Sequence, residues 1–162
     1  GATILGEVLG GASTADAHHI TAPSPGGVGA IRCIDLALEE ARLTPDQIGH
    51  INAHGTSTPL NDMAEAQAMA EVFGSSGPLV TSTKGITGHA LGAAGAIEAV
   101  ALVLSIQKGL IPPTSGFTNP DPDMPSLNLV SGEPRVWDPT PAMSNSFGFG
   151  GHNGSVIIGP VN

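Results

Sequence analysis

Tyrosine is absent from this chain of 162 residues, and aromatic residues make up only 3% of it. Without a row of rings there is no stacking platform for nucleic-acid bases. Positive charge is also scarce. Arg32, Arg42, Lys84, Lys108 and Arg135 are the only lysines and arginines, they are scattered, and the formal net charge is −9. Such a chain is not expected to hold nucleic acid or an anionic membrane, nor on its own to attract an acidic protein. The single cysteine, Cys33, excludes an intrachain disulfide and a cysteine-based zinc site, and fits a reducing, cytoplasmic setting. The first residues, GATILGEVLGG, carry no basic stretch ahead of an apolar run, so no secretory leader is expected in them. The longest apolar run, 90–106, is short, glycine-rich and broken by Glu98, and is not expected to span a membrane.

What is present is apolar and small. Apolar residues make up 40% and charged residues 12%, so much of the chain is expected to pack against itself or a partner. The run 2–11 predicts a strand, and 11–27 a long polar loop punctuated by proline and glycine. Residues 28–41 carry apolar side chains at helical spacing. TPDQ at 44–47 predicts a capped turn, with Thr44 as cap and Gln47 three residues on. Strands are expected at 48–53, 78–81, 127–130 and 155–158, and helices at 62–73 and 92–107, the latter stopped by Gly109. The proline-rich stretch 111–126 cannot be regular structure. The order βαβαβαββ predicts one α/β domain over 1–162 with a mixed five-stranded sheet.

Three segments hold the candidate chemistry: NAHGTST (52–58), STKGITGH (82–89) and NSFGFGGHNG (145–154). Segments that leave the strand ends of an α/β sheet converge at one edge, so His54, Lys84, His89 and the glycine turn are expected to share a site. The helix at 92–107 is apolar on nearly every face, which predicts burial, and Glu98 lies in its middle. A lone buried carboxylate must neutralise or find a cation, and Lys84 is the natural partner; Glu65 is a second lone acid that joins them. No P-loop, no G-x-S-x-G elbow and no H-E-x-x-H occurs. Plainer roles compete: Thr56 and Thr58 as a helix-entry cap, Asn145 and Asn153 as turn caps, Gly148, Gly150 and Gly151 as a tight turn, and Cys33 as a small core residue. His18, His19 and His50 are expected to be structural or at the surface.

NAHGTSTPLND, STKGITGHALGAAGAIEA and SNSFGFGGHNGS, with the loop STADAHHITAPSPGG, together resemble the β-ketoacyl-acyl-carrier-protein synthases of the elongating type. The likeness runs over about residues 1–160 and implies the C-terminal half of a thiolase-type fold built from two similar halves. The family's nucleophilic cysteine belongs to the other half, and Cys33 does not lie in its motif. The resemblance implies a decarboxylative condensation of an acyl thioester with malonyl-carrier protein. His54 and His89 match the histidines that stabilise the enolate, and Lys84 matches the lysine that holds the second of them. Glu98 and Glu65 match the acids that anchor that lysine. Phe149 matches a gating residue, and Phe147, Gly148, Gly150, Thr56 and Thr58 match positions along the thioester and its phosphopantetheine arm. Asn61 and His152 depart from the commoner Gly and Thr.

No bound cofactor and no metal are implied; the substrate rides on the carrier's phosphopantetheine. The implied partners are acyl-carrier protein, the N-terminal half and, when complete, a second copy in a homodimer. Alone, the chain is expected to be inactive. One competing reading is a catalytically silent partner subunit of chain-length-factor type that binds acyl-carrier protein. Another is a metal hydrolase using His54, His89, Asp62 and Glu98, which the cation of Lys84 disfavours.

Overall fold

The computed structural model describes residues 1–161. In chain order the elements are β1 (Glu7–Ala15), α1 (Val28–Ala41), β2 (His50–Asn52), α2 (Pro59–Phe73), β3 (Leu79–Thr81), α3 (Lys84–Thr87), α4 (Ala94–Lys108), β4 (Leu110–Ile111), β5 (Arg135–Val136), β6 (Ala142–Gly148) and β7 (His152–Gly159). Five of the strands form one sheet in the order β1-β7-β6-β2-β3, while β4 and β5 pair separately. The sheet is mixed: β2 runs parallel to β3 and to β6, whereas β7 is antiparallel to both β6 and β1.

Helices cover both faces. Ile34 and Leu38 of α1 and Met69 of α2 pack on Ile51, Val80, Met143 and Ile157 of the sheet. Leu102 and Ile106 of α4 pack on Ala142 and Ile158 from the other side. Helix α1 lies so close to β1 that a Cβ on Gly10 would stand 2.6 Å from the Ala41 nitrogen. Only glycine tolerates that approach.

The expected element types stand, with shifted bounds. Strand β1 starts and ends later than the run 2–11, because the Ala/Gly/Ser/Thr segment 11–15 pairs with β7 in full register. Helix α2 begins at Pro59, a residue preset for the first helical turn. The Thr44 turn forms with the Gln47 side chain accepting the Thr44 N–H at 2.8 Å. Helix α4 is preceded by a 3-10 turn and ends where Gly109 takes φ +60°.

Three expectations need correction. Residues 127–130 are no sheet strand; one bridge, Val80 to Leu129, is all they contribute. The true fourth strand of the sheet is β6, inside the stretch expected to be a connecting segment. Its AMSNSFG sequence lacks β-branched residues, so propensity conceals it. The third concerns α4. Its sheet side is buried, but Ile97, Val100 and Leu104 on the far side are 38%, 60% and 52% exposed. An all-round apolar helix buries only the faces that meet a neighbour. By length and composition alone the segment Leu91–Lys108, of mean hydropathy 1.4, is long and apolar enough to cross a membrane, a test that a core helix also passes. In the fold it is a layer against the sheet.

Candidate active site

The parallel register of β6, β2 and β3 sends their C-terminal ends to one edge of the sheet. His54 follows β2, Lys84 and His89 follow β3, and Phe147 lies near the end of β6. The imidazoles of His54 and His89 meet edge-on, ring centres 5.4 Å apart at 87°. Phe147 stands against His54 at 6.0 Å. Ser82 ties the two histidine segments together by donating from Oγ to the Gly55 carbonyl at 3.0 Å. Gly55 is obligatory there, since its φ is +43° and a Cβ would come 2.6 Å from the Ser82 Cβ.

The two histidines are held differently. His89 is exposed, and its Nδ1 accepts the Leu91 N–H at 3.2 Å. An accepting Nδ1 leaves the ring proton on Nε2, so the neutral ring offers Nε2–H as its donor. Leu91 reaches that position with φ +50°, a left-handed conformation costly for a branched residue. His54 is buried, with its Nδ1 lacking any partner. Burial, then the charge of Lys84 and of His89, pushes its pKa down to about 3, so the ring is neutral near pH 7. A proton on Nδ1 would be a buried donor without an acceptor, which places it on Nε2 as well.

Behind the histidines, the Lys84 ammonium forms a buried ion pair with Glu98 Oε1. No hydrogen bond joins Lys84 to His89 among the described residues; Leu91 holds that ring instead. Glu65 does not anchor Lys84 either. Its two oxygens accept the backbone N–H groups of His54 and Gly55, both at 2.8 Å, and so fix the loop that carries His54. Burial pushes the Glu65 carboxyl up to about 7, opposed by those two N–H bonds. The two N–H bonds favour the carboxylate, while burial favours the protonated acid and outweighs them.

The remaining candidates lie at the rim. Thr56 and Thr58 hydrogen-bond each other at 2.8 Å, and Thr58 begins α2 without a side-chain bond to it. Phe149 is 78% exposed in the turn Phe149–Gly151 between β6 and β7, outside the histidine cluster. Gly150 and Gly151 take φ of +80° and +76°, which only glycine adopts freely.

A family model described as Beta-ketoacyl synthase, C-terminal domain, matches residues 5–118. The chain belongs to this family. It is 50% identical over 161 residues to the chloroplastic 3-oxoacyl-[acyl-carrier-protein] synthase II of Arabidopsis thaliana, covering 99% of this chain and 30% of that protein. A solved β-ketoacyl synthase from Burkholderia phymatum superposes with a TM-score of 0.95 at 40% identity, over 99% of this chain and 39% of the other. A type II polyketide ketosynthase structure, AntDE with its acyl-carrier protein AntF, matches with a TM-score of 0.94 at 38% identity, over 99% and 40%. The fold is therefore the thiolase-type α/β fold of the ketosynthases, and the chain spans 30% to 40% of the length of these proteins.

Several residues that hold this synthase domain's site together were not legible beforehand. Asn52 donates to Thr83 Oγ1 at 3.3 Å and reaches the Glu98 carbonyl at 3.5 Å, joining β2, α3 and α4 behind the histidines. Asn145 and Asn153 are strand residues rather than turn caps. Asn145 Oδ1 accepts from Ser155 Oγ at 2.8 Å, and Asn153 Nδ2 donates to Asp16 Oδ1 at 2.7 Å. The signal available was polarity inside β6 and β7, where a buried amide seeks partners, although Asn145 Nδ2 is left without one. Cys33 is buried, its Sγ donating to the Ala12 carbonyl at 3.3 Å, and burial pushes its thiol up. That is the opposite of what a nucleophile needs.

Proposed function

We propose that this chain is the C-terminal half of a β-ketoacyl-acyl-carrier-protein synthase, a condensing transferase of fatty acid or polyketide synthesis. The observation that carries the reading is the pair of facing imidazoles, His54 and His89, each with a proton on Nε2 and set before a buried Lys84–Glu98 pair. The substrate is a malonyl thioester on the phosphopantetheine of acyl-carrier protein; no resident cofactor takes part. As its carboxylate leaves as carbon dioxide, the bonding pair moves onto the thioester as an enolate. Two Nε2–H donors aimed at the enolate oxygen stabilise its charge by hydrogen bonding while keeping their own protons. The enolate carbon then attacks the acyl group held as a thioester on a cysteine of the other half, and the thiolate departs. Burial, reinforced by the charge of Lys84, keeps His54 neutral, so that the ring donates rather than titrates.

Phe149 gates the acyl path, and Thr56 and Thr58 bind the phosphopantetheine arm beside Phe147, Gly148 and Gly150. The exposed face of α4 is covered by the remaining length of the enzyme, which works as a homodimer in the cytoplasm. In the complete enzyme, His54→Ala or His89→Ala is expected to lower malonyl decarboxylation by roughly a hundredfold or more, while acyl transfer to the cysteine persists. Radiolabelled acyl transfer and carbon dioxide release are measured separately. Loss of both steps together, or of neither, contradicts the assignment.

A further inference from the structure

The stretch that follows β4, residues 112–116, forms neither helix nor strand, yet it runs against the turn that carries Lys84. Pro112 and Pro113 have no N–H to leave unpaired there. Thr114 ties the stretch to the sheet. Its N–H donates to the Val130 carbonyl at 2.8 Å, and the Val130 N–H donates to the Val80 carbonyl of β3, also at 2.8 Å. Beside Lys84, a Cβ on Gly85 would stand 2.3 Å from the Ser115 carbonyl oxygen, so only glycine fits. The hydroxyls between these segments have a fixed direction. Thr81 Oγ1 donates to the Pro112 carbonyl at 2.8 Å, which uses its only proton. The 3.3 Å contact of Thr81 Oγ1 with Thr114 Oγ1 is therefore donated by Thr114. Thr114 Oγ1 in turn accepts the Ser82 N–H at 3.1 Å. One chain thus runs from Ser82 through Thr114 and Thr81 to Pro112, and each bond polarises the next. Ser82 gives its own hydroxyl proton to the Gly55 carbonyl at 3.0 Å, one residue after His54.

We propose that Thr114 is a positioning residue for the histidine pair. It fixes the backbone of Ser82, and Ser82 holds the loop that carries His54, so the stretch after β4 sets how the two imidazoles stand to each other. The inference rests on the reading of His54 and His89 as the enolate donors. Thr114 acts on them only through Ser82 and Gly55. Two donors that must meet one oxygen are sensitive to such a frame, because a displacement of about 1 Å can cost about a hundredfold in rate. Removing the Thr114 hydroxyl leaves the Ser82 N–H without its acceptor, in a residue only 8% exposed. The turn then has to shift to satisfy that group, and Ser82 carries the shift to Gly55.

Thr114→Val in the complete synthase keeps the shape of the side chain and removes its acceptor. Carbon dioxide release and acyl transfer to the cysteine are measured separately. Malonyl decarboxylation is expected to fall about tenfold through kcat, with KM and acyl transfer unchanged. Thr114→Ser, which returns the hydroxyl, should recover most of that loss. Ser82→Ala breaks the bond to Gly55 and should slow the same step. Combined with Thr114→Val it should cost little beyond the larger single effect, because both interrupt one chain. Decarboxylation at the parent rate in Thr114→Val, or acyl transfer falling equally with it, overturns the proposal. So do additive losses in the double variant, or a Thr114→Ser enzyme as slow as Thr114→Val. If Thr114→Val does not assemble, Ser82→Ala decides on the same two rates. His54→Ala is the control. If it decarboxylates at the parent rate, the histidine reading falls; if it is impaired while Thr114→Val is not, only the role of Thr114 falls.

Discussion

At the scale of the residue, His54 is the group whose charge its surroundings alter most among the site's histidines. A histidine at the surface changes charge close to neutrality; this one is held well below that range by burial and by Lys84. Its ring carbon proton is therefore expected to show no titration shift by NMR between about pH 7 and about pH 5. A midpoint in that interval rejects the neutral-donor role. The ion pair behind it makes a second prediction. Glu98→Ala leaves Lys84 buried without a partner, and is expected to cost about 3 kcal/mol. Lys84→Met added to Glu98→Ala should restore part of that, as chemical denaturation of the single and double variants can report; additive losses refute the coupling. That pairing was legible in the sequence, because a lone acid and a lone base in apolar runs have few ways to avoid the cost of burial. The partners of Glu65 were not, since a carboxylate that accepts backbone N–H groups leaves no mark on its partners' identities.

Among the elements, β2 shows how one short strand serves two purposes. Its far end positions His54, while its first residue, His50, is locked into the fold. His50 Nδ1 donates to the Leu79 carbonyl at 2.9 Å, and its ring meets Trp137 edge-on at 5.7 Å. Burial pushes His50 down to about 4 from 6.5. The unfolded chain then takes up a proton below 6.5 that the folded chain refuses until about 4. The stability that neutral His50 contributes is complete above 6.5 and is lost as pH falls towards 4, by about 3 kcal/mol at the limit. His54 acts in the same sense. Glu65, raised to about 7 from 4.5, acts in the opposite one, because folding binds its proton between those values. His50→Gln should therefore show a shallower fall in Tm on acidification than the parent chain; an equal slope removes His50 from the account. Element type was legible where apolar periodicity was strong, as in α1, or where an apolar run was long, as in α4. It failed at β6, where Met143 and Phe147 stand among small and polar residues with no β-branched side chain, and β2 and β7 flank the strand.

For the molecule as a whole, the informative feature is what the chain leaves uncovered. Ile97, Val100 and Leu104 form an apolar stripe on the outer side of α4, and Ile86 and Leu91 are exposed before it. Single exposed apolar residues are ordinary, but a contiguous group marks a contact surface. The isolated chain is expected to bind an apolar dye and to give no ketoacyl product from malonyl-carrier protein and an acyl donor. Val100→Lys with Leu104→Lys should abolish the dye signal in the isolated chain yet impair assembly of the complete enzyme. Dye binding unchanged by the pair of substitutions sends the search for that surface elsewhere. Sequence pattern identified α4 as apolar on nearly every face, but had no means of telling which faces find a neighbour within this chain.

The order of the sheet has a consequence for how the chain comes into being. Strands β6 and β7 leave the ribosome after the other strands of this sheet, yet they occupy inner positions, between β1 on one side and β2 on the other. During synthesis β1 therefore waits unpaired, and β2 has only β3 beside it, until the final two strands emerge and fill the gap between them. A stop codon anywhere before β7 removes the keystone of the sheet rather than a tail.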